Sequence, residues 1–459
     1  MQWRRLFGIA GFLLCAWANP LHAAPLRITG TGSVTNEGHP KHPGDFTKYD
    51  VTVHVTFDPV PGEAVIEFDF DPADSLPQDN RYRYHFRRGR VFQVDDKGAE
   101  ILPASVGDIA AVAVPAIHPA LVLDALRERP ECIRRVEGGL VFAWNDELWT
   151  MDLAPAAHAD RVVALHYDWA SYTHGDQTMD VRYEGWPADP NAMSPGTVVM
   201  STLGREVLRI DFRTTEKADS VGIAVGDRER DRQWVASEKE MVAHEIAPHL
   251  FSLDLVSLNM RVFVAEFRDF LMVFEGAWDP RNSDPIAAYI RERFKKPVRY
   301  FAFSHIHSQY IAGTRSFVHE GATVLVPPTT APLIESMVKQ GRRLRPDTLA
   351  ADPHPLKMEA VPKKKRIKDG VNTADIYNVE SGHTDEYIIV YFPRQKVLLC
   401  GDLLFYSPGK KLSDRSLKLC ENVRKLGLDV EKYWVTWPLD GYGVQNVVTG
   451  AELREACAK

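Results

Sequence analysis

The sequence has no Gly-x-Ser-x-Gly and no phosphate-binding glycine loop. A serine nucleophile on a strand-to-helix elbow and a nucleotide cradle are therefore both missing as patterns. No stretch after the N-terminus approaches the roughly 20 apolar residues a membrane-spanning helix needs. There is no excess of positive charge either: 55 Lys and Arg stand against 62 Asp and Glu, a formal charge of -7. An acidic chain is a poor partner for nucleic acid or an anionic membrane surface. Cysteine is sparse at five residues, too few and too irregularly spaced for a zinc ribbon or a disulfide scaffold. No histidine follows His383, an absence that matters below.

The N-terminus has the layout of an export signal. Arg4 and Arg5 precede the apolar run Leu6 to Trp17, and Leu21-His22-Ala23 comes before Ala24. A lipoprotein signal is disfavoured because Leu14, ahead of Cys15, is not the small residue such sites use. Cleavage after residue 23 takes the formal charge from -7 to -9 with Arg4 and Arg5, and predicts a periplasmic or secreted protein. An oxidising compartment would permit Cys420 and Cys457 to pair, and Cys400 in its apolar run reads as a small core residue. The basic run Lys363 to Lys368 leads into Asp369-Gly370 and reads as a solvated hairpin tip.

Length and texture predict two domains, 24–235 and 236–459. The first is β-rich. Val51, Val53, Val55 and Phe57 alternate with polar residues, the period of a half-buried strand. The theme recurs at Val65–Phe70, Tyr82–Phe86, Gly139–Trp144, Leu148–Leu153, Arg161–Trp169 and Met179–Tyr183, with one helix near 119–129. The pattern faintly resembles the curved antiparallel half-barrel of periplasmic lipoprotein carriers, and the histidines of this region are scattered. After about residue 240, strands and helices alternate. Strands are expected at Met260–Phe267, Phe270–Phe274, Val298–Phe303, Thr323–Val326, Ile376–Val379, Tyr387–Phe392, Val397–Cys400 and Tyr433–Trp437. Helices are expected at Asp284–Phe294, Ala331–Gln340, Ser413–Leu426 and from Ala451. Such a mixture predicts an α/β (α+β) class with helix-covered sheets.

One constellation stands out in the second half. His305 and His307 follow the apolar strand Tyr300-Phe301-Ala302-Phe303, and in extended backbone residues i and i+2 point the same way. Two imidazoles so placed can face one ion. Gly382-His383-Thr384 lies on a later loop, and Gly401-Asp402 closes the next apolar strand. By contrast, His244-Glu245-Ile246-Ala247-Pro248-His249 has one residue too many for the helical His-Glu-x-x-His motif, and Pro248 would break the helix.

These segments resemble the metallo-β-lactamase superfamily along residues 240–459. The matching stretches are Lys296-Pro297-Val298-Arg299-Tyr300, Ser304 to Gly313, Gly382-His383-Thr384-Asp385-Glu386, and Val390 to Pro393 through Lys396-Val397-Leu398 to Gly401-Asp402. The resemblance implies an αβ/βα sandwich with metals at one sheet edge. It assigns His305, His307 and His383 to a first zinc and Asp402 to the bridge toward a second.

The departures are as informative. Gln309 and Tyr310 stand where the family carries Asp and His, and both are poor zinc ligands. The family's last histidine is missing, and Trp437, Asp440 and Tyr442 are the residues available near its place. One zinc ion is therefore expected rather than two. Three imidazoles suit a mononuclear zinc hydrolase, since zinc lowers the pKa of bound water to about 7. Asp402 would orient that water, Tyr310 would donate a hydrogen bond to substrate or simply fill the lost histidine's place, and Glu275 would support the ligands from behind. The expected activity is an exported zinc-dependent hydrolase acting on an ester, lactone, thioester or amide of a small molecule. The alternative is a non-catalytic relative that binds a ligand or partner.

Overall fold

In the computed structural model the described residues are 25–458, apart from 37–39, 59–62, 71–80, 88–89, 95–99, 102–113, 128–129, 145–146, 155–160, 172, 190–191, 193, 220–235, 237–238 and 441. The expected export signal, and residue 235 on the N-terminal side of the expected domain boundary, fall outside them. The chain divides into two compact units, one drawn from the N-terminal half and one made of residues 233–459 with 37–45 and 172–175.

Among the described residues the N-terminal unit holds thirteen strands, β1–β13, between Leu26 and Lys217, in one sheet ordered 6-5-4-3-2-1-13-12-11-10-9-8-7. Its two meanders join where β1 (Leu26–Asn36) pairs antiparallel with β13 (Arg205–Lys217). The alternation read at 51–57 is real: Val51, Val53, Val55 and Phe57 are buried together with helix α1 (Pro119–Arg127) in one core. His118 is fully buried against Phe57 and Phe212, and burial pushes its pKa down to about 3. Among the described residues no histidine of this unit joins a group of three metal-ligating side chains.

The second unit contains two mixed sheets. One runs β14 (Ala243–Ala247), β15 (Leu250–Leu255), β16 (Met260–Glu266), β17 (Leu271–Phe274), β18 (Val298–Ala302), β19 (Thr323–Val326) and β20 (Lys357–Ala360). The other runs β21 (Lys364–Lys368), β22 (Thr373–Val379), β23 (Tyr387–Phe392), β24 (Val397–Leu399), β25 (Lys432–Trp434) and β26 (Val447–Thr449). Helices α2 (Pro280–Phe294), α3 (Ser308–Ile311), α4 (Thr314–His319), α5 (Ala331–Lys339), α6 (Thr348–Ala351), α7 (Asp414–Lys425) and α8 (Gly450–Cys457) complete it.

The layering follows from strand parity. Val262 and Val264 of β16 pack with Ile286 and Ile290 of α2 and Phe317 of α4. Phe263 and Ala265 of the same strand face the other way, into a core shared with Ile376, Ile388, Val390 and Leu399 of the second sheet. The alternate residues of that sheet, Ile389, Tyr391 and Leu398, pack with Leu419 of α7 and Leu453 of α8. Strands buried on both faces read as continuous apolar runs, which is why 260–274 and 387–400 stand out in the sequence. The result is a four-layered αβ/βα sandwich of mixed α/β class.

Local chemistry sets the ends. Asp279 caps α2 by accepting from Arg281 N, with Pro280 in the first turn. That helix thus begins four residues before the expected Asp284. The basic run is a correction to the sequence reading. It forms edge strand β21 and not a tip, the turn being Asp369–Asn372. Lys364 and Arg366 pair with Asp375 on β22, and charge on an edge discourages further strand addition. Residues 243–247 form strand β14 and His249 sits in the following turn with φ +61, so the false helical motif is a hairpin. Cys420 of α7 and Cys457 of α8 are joined in a disulfide with Cα atoms 6.0 Å apart. No helix among the described residues is long and apolar enough to cross a membrane.

Candidate metal centre

The parallel strands β17 and β18 are in register, with Phe274 opposite Ala302, and β24 runs parallel to β25. Their C-terminal ends lie on one edge, where open α/β sheets place ligands. His305 and His307 leave the end of β18, Asp402 leaves the end of β24, and His383 sits between β22 and β23. One ligand atom from each of the four lies within 4.8 Å of the others. Two segments distant in sequence thus meet because two sheets are stacked.

His305, His307 and Asp402 are buried, and the His383 side chain is 23% exposed. His305 Nε2 is 2.8 Å from His307 Nδ1 and 3.7 Å from Asp402 Oδ2. His383 Nε2 is 3.6 Å from the same carboxylate oxygen. Two nitrogens bound to a tetrahedral zinc at 2.0–2.1 Å stand about 3.4 Å apart, so the His305–His307 pair must open by roughly half an ångström and the contacts to Asp402 close by a few tenths to surround an ion. His383 Nε2 is buried and makes no hydrogen bond among the described residues. A buried nitrogen without a hydrogen bond is costly, and an ion between it and the other two imidazoles would satisfy it. The donor set fits zinc.

The surroundings orient these groups. Ser304 Oγ lies 2.9 Å from His305 Nδ1, which aims Nε2 at the cluster. Tyr387 stacks on His305 at 4.7 Å and donates its hydroxyl to Asp402 Oδ1 at 3.0 Å, leaving Oδ2 for the histidines. Burial opposes ionisation of Asp402, but His305, His383 and Arg415 hold its carboxyl well below the usual range. It is a carboxylate, and a weak base.

Glu275, at φ +77 just past β17, is fully buried. It accepts from Ser304 N at 3.0 Å and pairs with Thr436 Oγ1 at 3.3 Å. Burial pushes its pKa up to about 8 despite those bonds, with Asp402's charge adding to the rise. At neutral pH it is mainly a neutral acid that ties the metal loop to the end of β25.

Tyr310 has no exposed surface, and its ring lies 4.5 Å from that of His305. Its hydroxyl has no hydrogen-bond partner among the described residues, and burial followed by Asp402's charge pushes its pKa well above 10. Gln309 is buried beside it. Tyr310 thus lies against the cluster without being one of its His or carboxylate groups, and among the described residues Asp440 is not one of the grouped carboxylates. Trp437 packs on Tyr442 and Phe405.

Sequence reasoning passed over Arg415, in the first turn of α7. Its guanidinium lies 4.1 Å over the Phe405 ring, and Nη1 is 3.7 Å from Asp402 Oδ2. The side chain is 11% exposed. A lone arginine thirteen positions past Asp402 carries no motif; only the placement of α7 reveals it. Tyr387 was equally hidden, inside an apolar strand.

No protein-family model matches the sequence, and no curated protein matches it. Among solved structures, it is similar to a metallo-β-lactamase from Pontibacter korlensis at 12% identity and TM-score 0.34, over 47% of this chain and 97% of that one. The mono-zinc form of the metallo-β-lactamase FIM-1 from Pseudomonas aeruginosa aligns at 14% and 0.34, over 47% and 93%. The inverting sec-alkylsulfatase Pisa1 from Pseudomonas sp. aligns at 15% and 0.35, over 47% and 40%.

Proposed function

We propose that this chain is an exported zinc-dependent hydrolase of the metallo-β-lactamase type, acting through one ion on an ester, lactone, thioester or amide of a small molecule. The observation that carries the reading is the convergence of His305, His307, His383 and Asp402 within 4.8 Å, with His383 Nε2 buried and making no hydrogen bond among the described residues. His305, His307 and His383 would hold the ion. Bound there, zinc supplies Lewis acidity and water activated near neutral pH.

The chain's own residues divide the remaining work. Asp402 Oδ2 accepts a hydrogen bond from the attacking water and fixes its direction, while Tyr387 keeps Oδ1 occupied. Asp402, as a carboxylate beside the three imidazoles, would orient the water. Arg415 sets a permanent positive charge beside Oδ2, a charge that would disfavour a second ion there and could meet negative charge developing on a bound substrate. Tyr310 closes the floor behind His305. Export is supported by the N-terminal signal pattern and by the Cys420–Cys457 bridge, a bond typical of oxidising compartments.

Elemental analysis is the direct test. Near one zinc per chain at this centre is expected, lost in His383→Ala together with turnover on an ester or lactone. Protein whose centre stays metal-free in excess zinc overturns the proposal. The burial of His305, His307 and Asp402 favours a second reading, a structural ion in a non-catalytic binding module. Zinc-loaded protein inert on esters, lactones, thioesters and β-lactams would decide for it.

A further inference from the structure

Twelve positions past His307, α4 ends in His319, and α6 is followed by Asp352-Pro353-His354. His319 Nε2 lies 3.5 Å and His354 Nε2 3.4 Å from the same oxygen, Asp352 Oδ2. The two imidazole rings are stacked, 4.9 Å apart at 22°. All three ligand atoms lie within 4.8 Å of one another. We propose that His319, Asp352 and His354 form a separate, solvent-facing site for a divalent transition cation of the zinc class.

The spacing is the first reason. These contacts are too long for good hydrogen bonds and match the roughly 3.4 Å between two ligands on a tetrahedral zinc. Two imidazoles converging on one carboxylate oxygen form an N2O set, which suits zinc, nickel or copper and not calcium or magnesium. Surface ion pairing alone offers at most about 1 kcal/mol and gives no reason for the second ring.

The second reason is that the ligands are held in place before any ion arrives. Asp352 is extended, at φ -135 and ψ 91, as a residue preceding proline must be. In extended chain, positions i and i+2 share a side, so Asp352 and His354 point together, as His305 and His307 do. The element carrying them is tied to α4 by buried chemistry. Arg315, one turn before His319, grips Asp347 with bonds of 2.5 and 2.9 Å. Asp347 in turn caps α6 by accepting from Ala350 N. Asp284 receives the Ser316 hydroxyl from α4 and both the N–H and hydroxyl of Thr348 from α6. A site carried on rigid, cross-tied elements is the kind that binds without reorganisation.

The exposed carboxylate, 71% accessible, leaves water the remaining positions. The ion would act as an external clamp between α4 and the exit of α6, on the helix that follows the metal loop.

The test compares wild type with His319→Ala/His354→Ala in zinc titration calorimetry and elemental analysis. Wild type should bind one equivalent more than the variant, whatever the central site holds. A His305→Ala/His383→Ala protein should retain that equivalent, which separates this proposal from the hydrolase reading. Zinc should raise the melting temperature of wild type more than that of the surface variant, and calcium should not. Equal stoichiometry in wild type and the surface variant overturns the proposal.

Discussion

Arg415 Nη1 stands 3.7 Å from Asp402 Oδ2, so the carboxylate that the superfamily resemblance assigns to a metal bridge has a guanidinium as its neighbour. The cation is fixed by stacking on Phe405, and a fixed charge at that distance disfavours a divalent ion beside it. Arg415→Gln should lower turnover about tenfold to a hundredfold while zinc at the central site does not fall. Arg415→Lys, which keeps the charge without the planar stack, should recover part of the loss. Unchanged activity in Arg415→Gln, with zinc retained, would remove Arg415 from the mechanism.

Glu275 yields a pair of opposed substitutions. Glu275→Gln is close to the neutral acid in shape and can still face Ser304 N and Thr436 Oγ1, so it should cost little. Glu275→Ala strands both partners in a buried space and should cost about 2–4 kcal/mol. The pH dependence follows from the raised pKa. The folded value is about 8 against an ordinary 4.5, so folding takes up a proton between them. The contribution is complete below about 4.5 and is lost as pH rises through about 8. Urea unfolding from pH 5 to 9 should therefore show wild type losing stability faster than Glu275→Gln between about pH 5 and 8 and levelling off above. Parallel curves would contradict a neutral Glu275.

The Cys420–Cys457 bridge closes a separation of 37 residues, for which chain entropy suggests about 4 kcal/mol. Urea unfolding of Cys420→Ser/Cys457→Ser against the oxidised wild type should show a loss of that order. A difference below about 1 kcal/mol would mean that helix packing alone holds α7 on α8.

How much of this was legible beforehand depended on whether the signal was local. The strand over Val51–Phe57 and the runs at 387–400 announce themselves by period and apolarity, and His305-x-His307 by spacing alone. The start of α2 was missed because Pro285 obscures the stronger signal of Asp279-Pro280. The basic run 363–368 was misread because its pairing with Asp375 lies across the hairpin, not along the chain. Arg415, Tyr387 and the roles of Ser304 and Thr436 arise only when the two sheets stack and their strand ends meet. The His319–Asp352–His354 group is hidden for the same reason, its parts lying on separate elements joined through Arg315.

Two glycines beside the ligands give the sharpest test of that stacking. Gly401 has φ +58, and a β-carbon there would sit 2.0 Å from Tyr387 Oη and 2.8 Å from Ser304 Cβ. Gly382 has φ +71 with open space around it. Both alanine variants bear the left-handed backbone cost of about 1–2 kcal/mol, but only Gly401→Ala must also displace Tyr387. That tyrosine holds Asp402 Oδ1 and stacks on His305, so moving it disturbs the carboxylate and one imidazole together. Gly401→Ala should lose zinc from the central site as well as stability, and Gly382→Ala should keep zinc with a modest fall in stability. Zinc content of the two purified variants, set against their urea midpoints, reads both effects. If Gly401→Ala binds zinc as wild type does, the contact between Tyr387 and the ligand shell is not what positions Asp402.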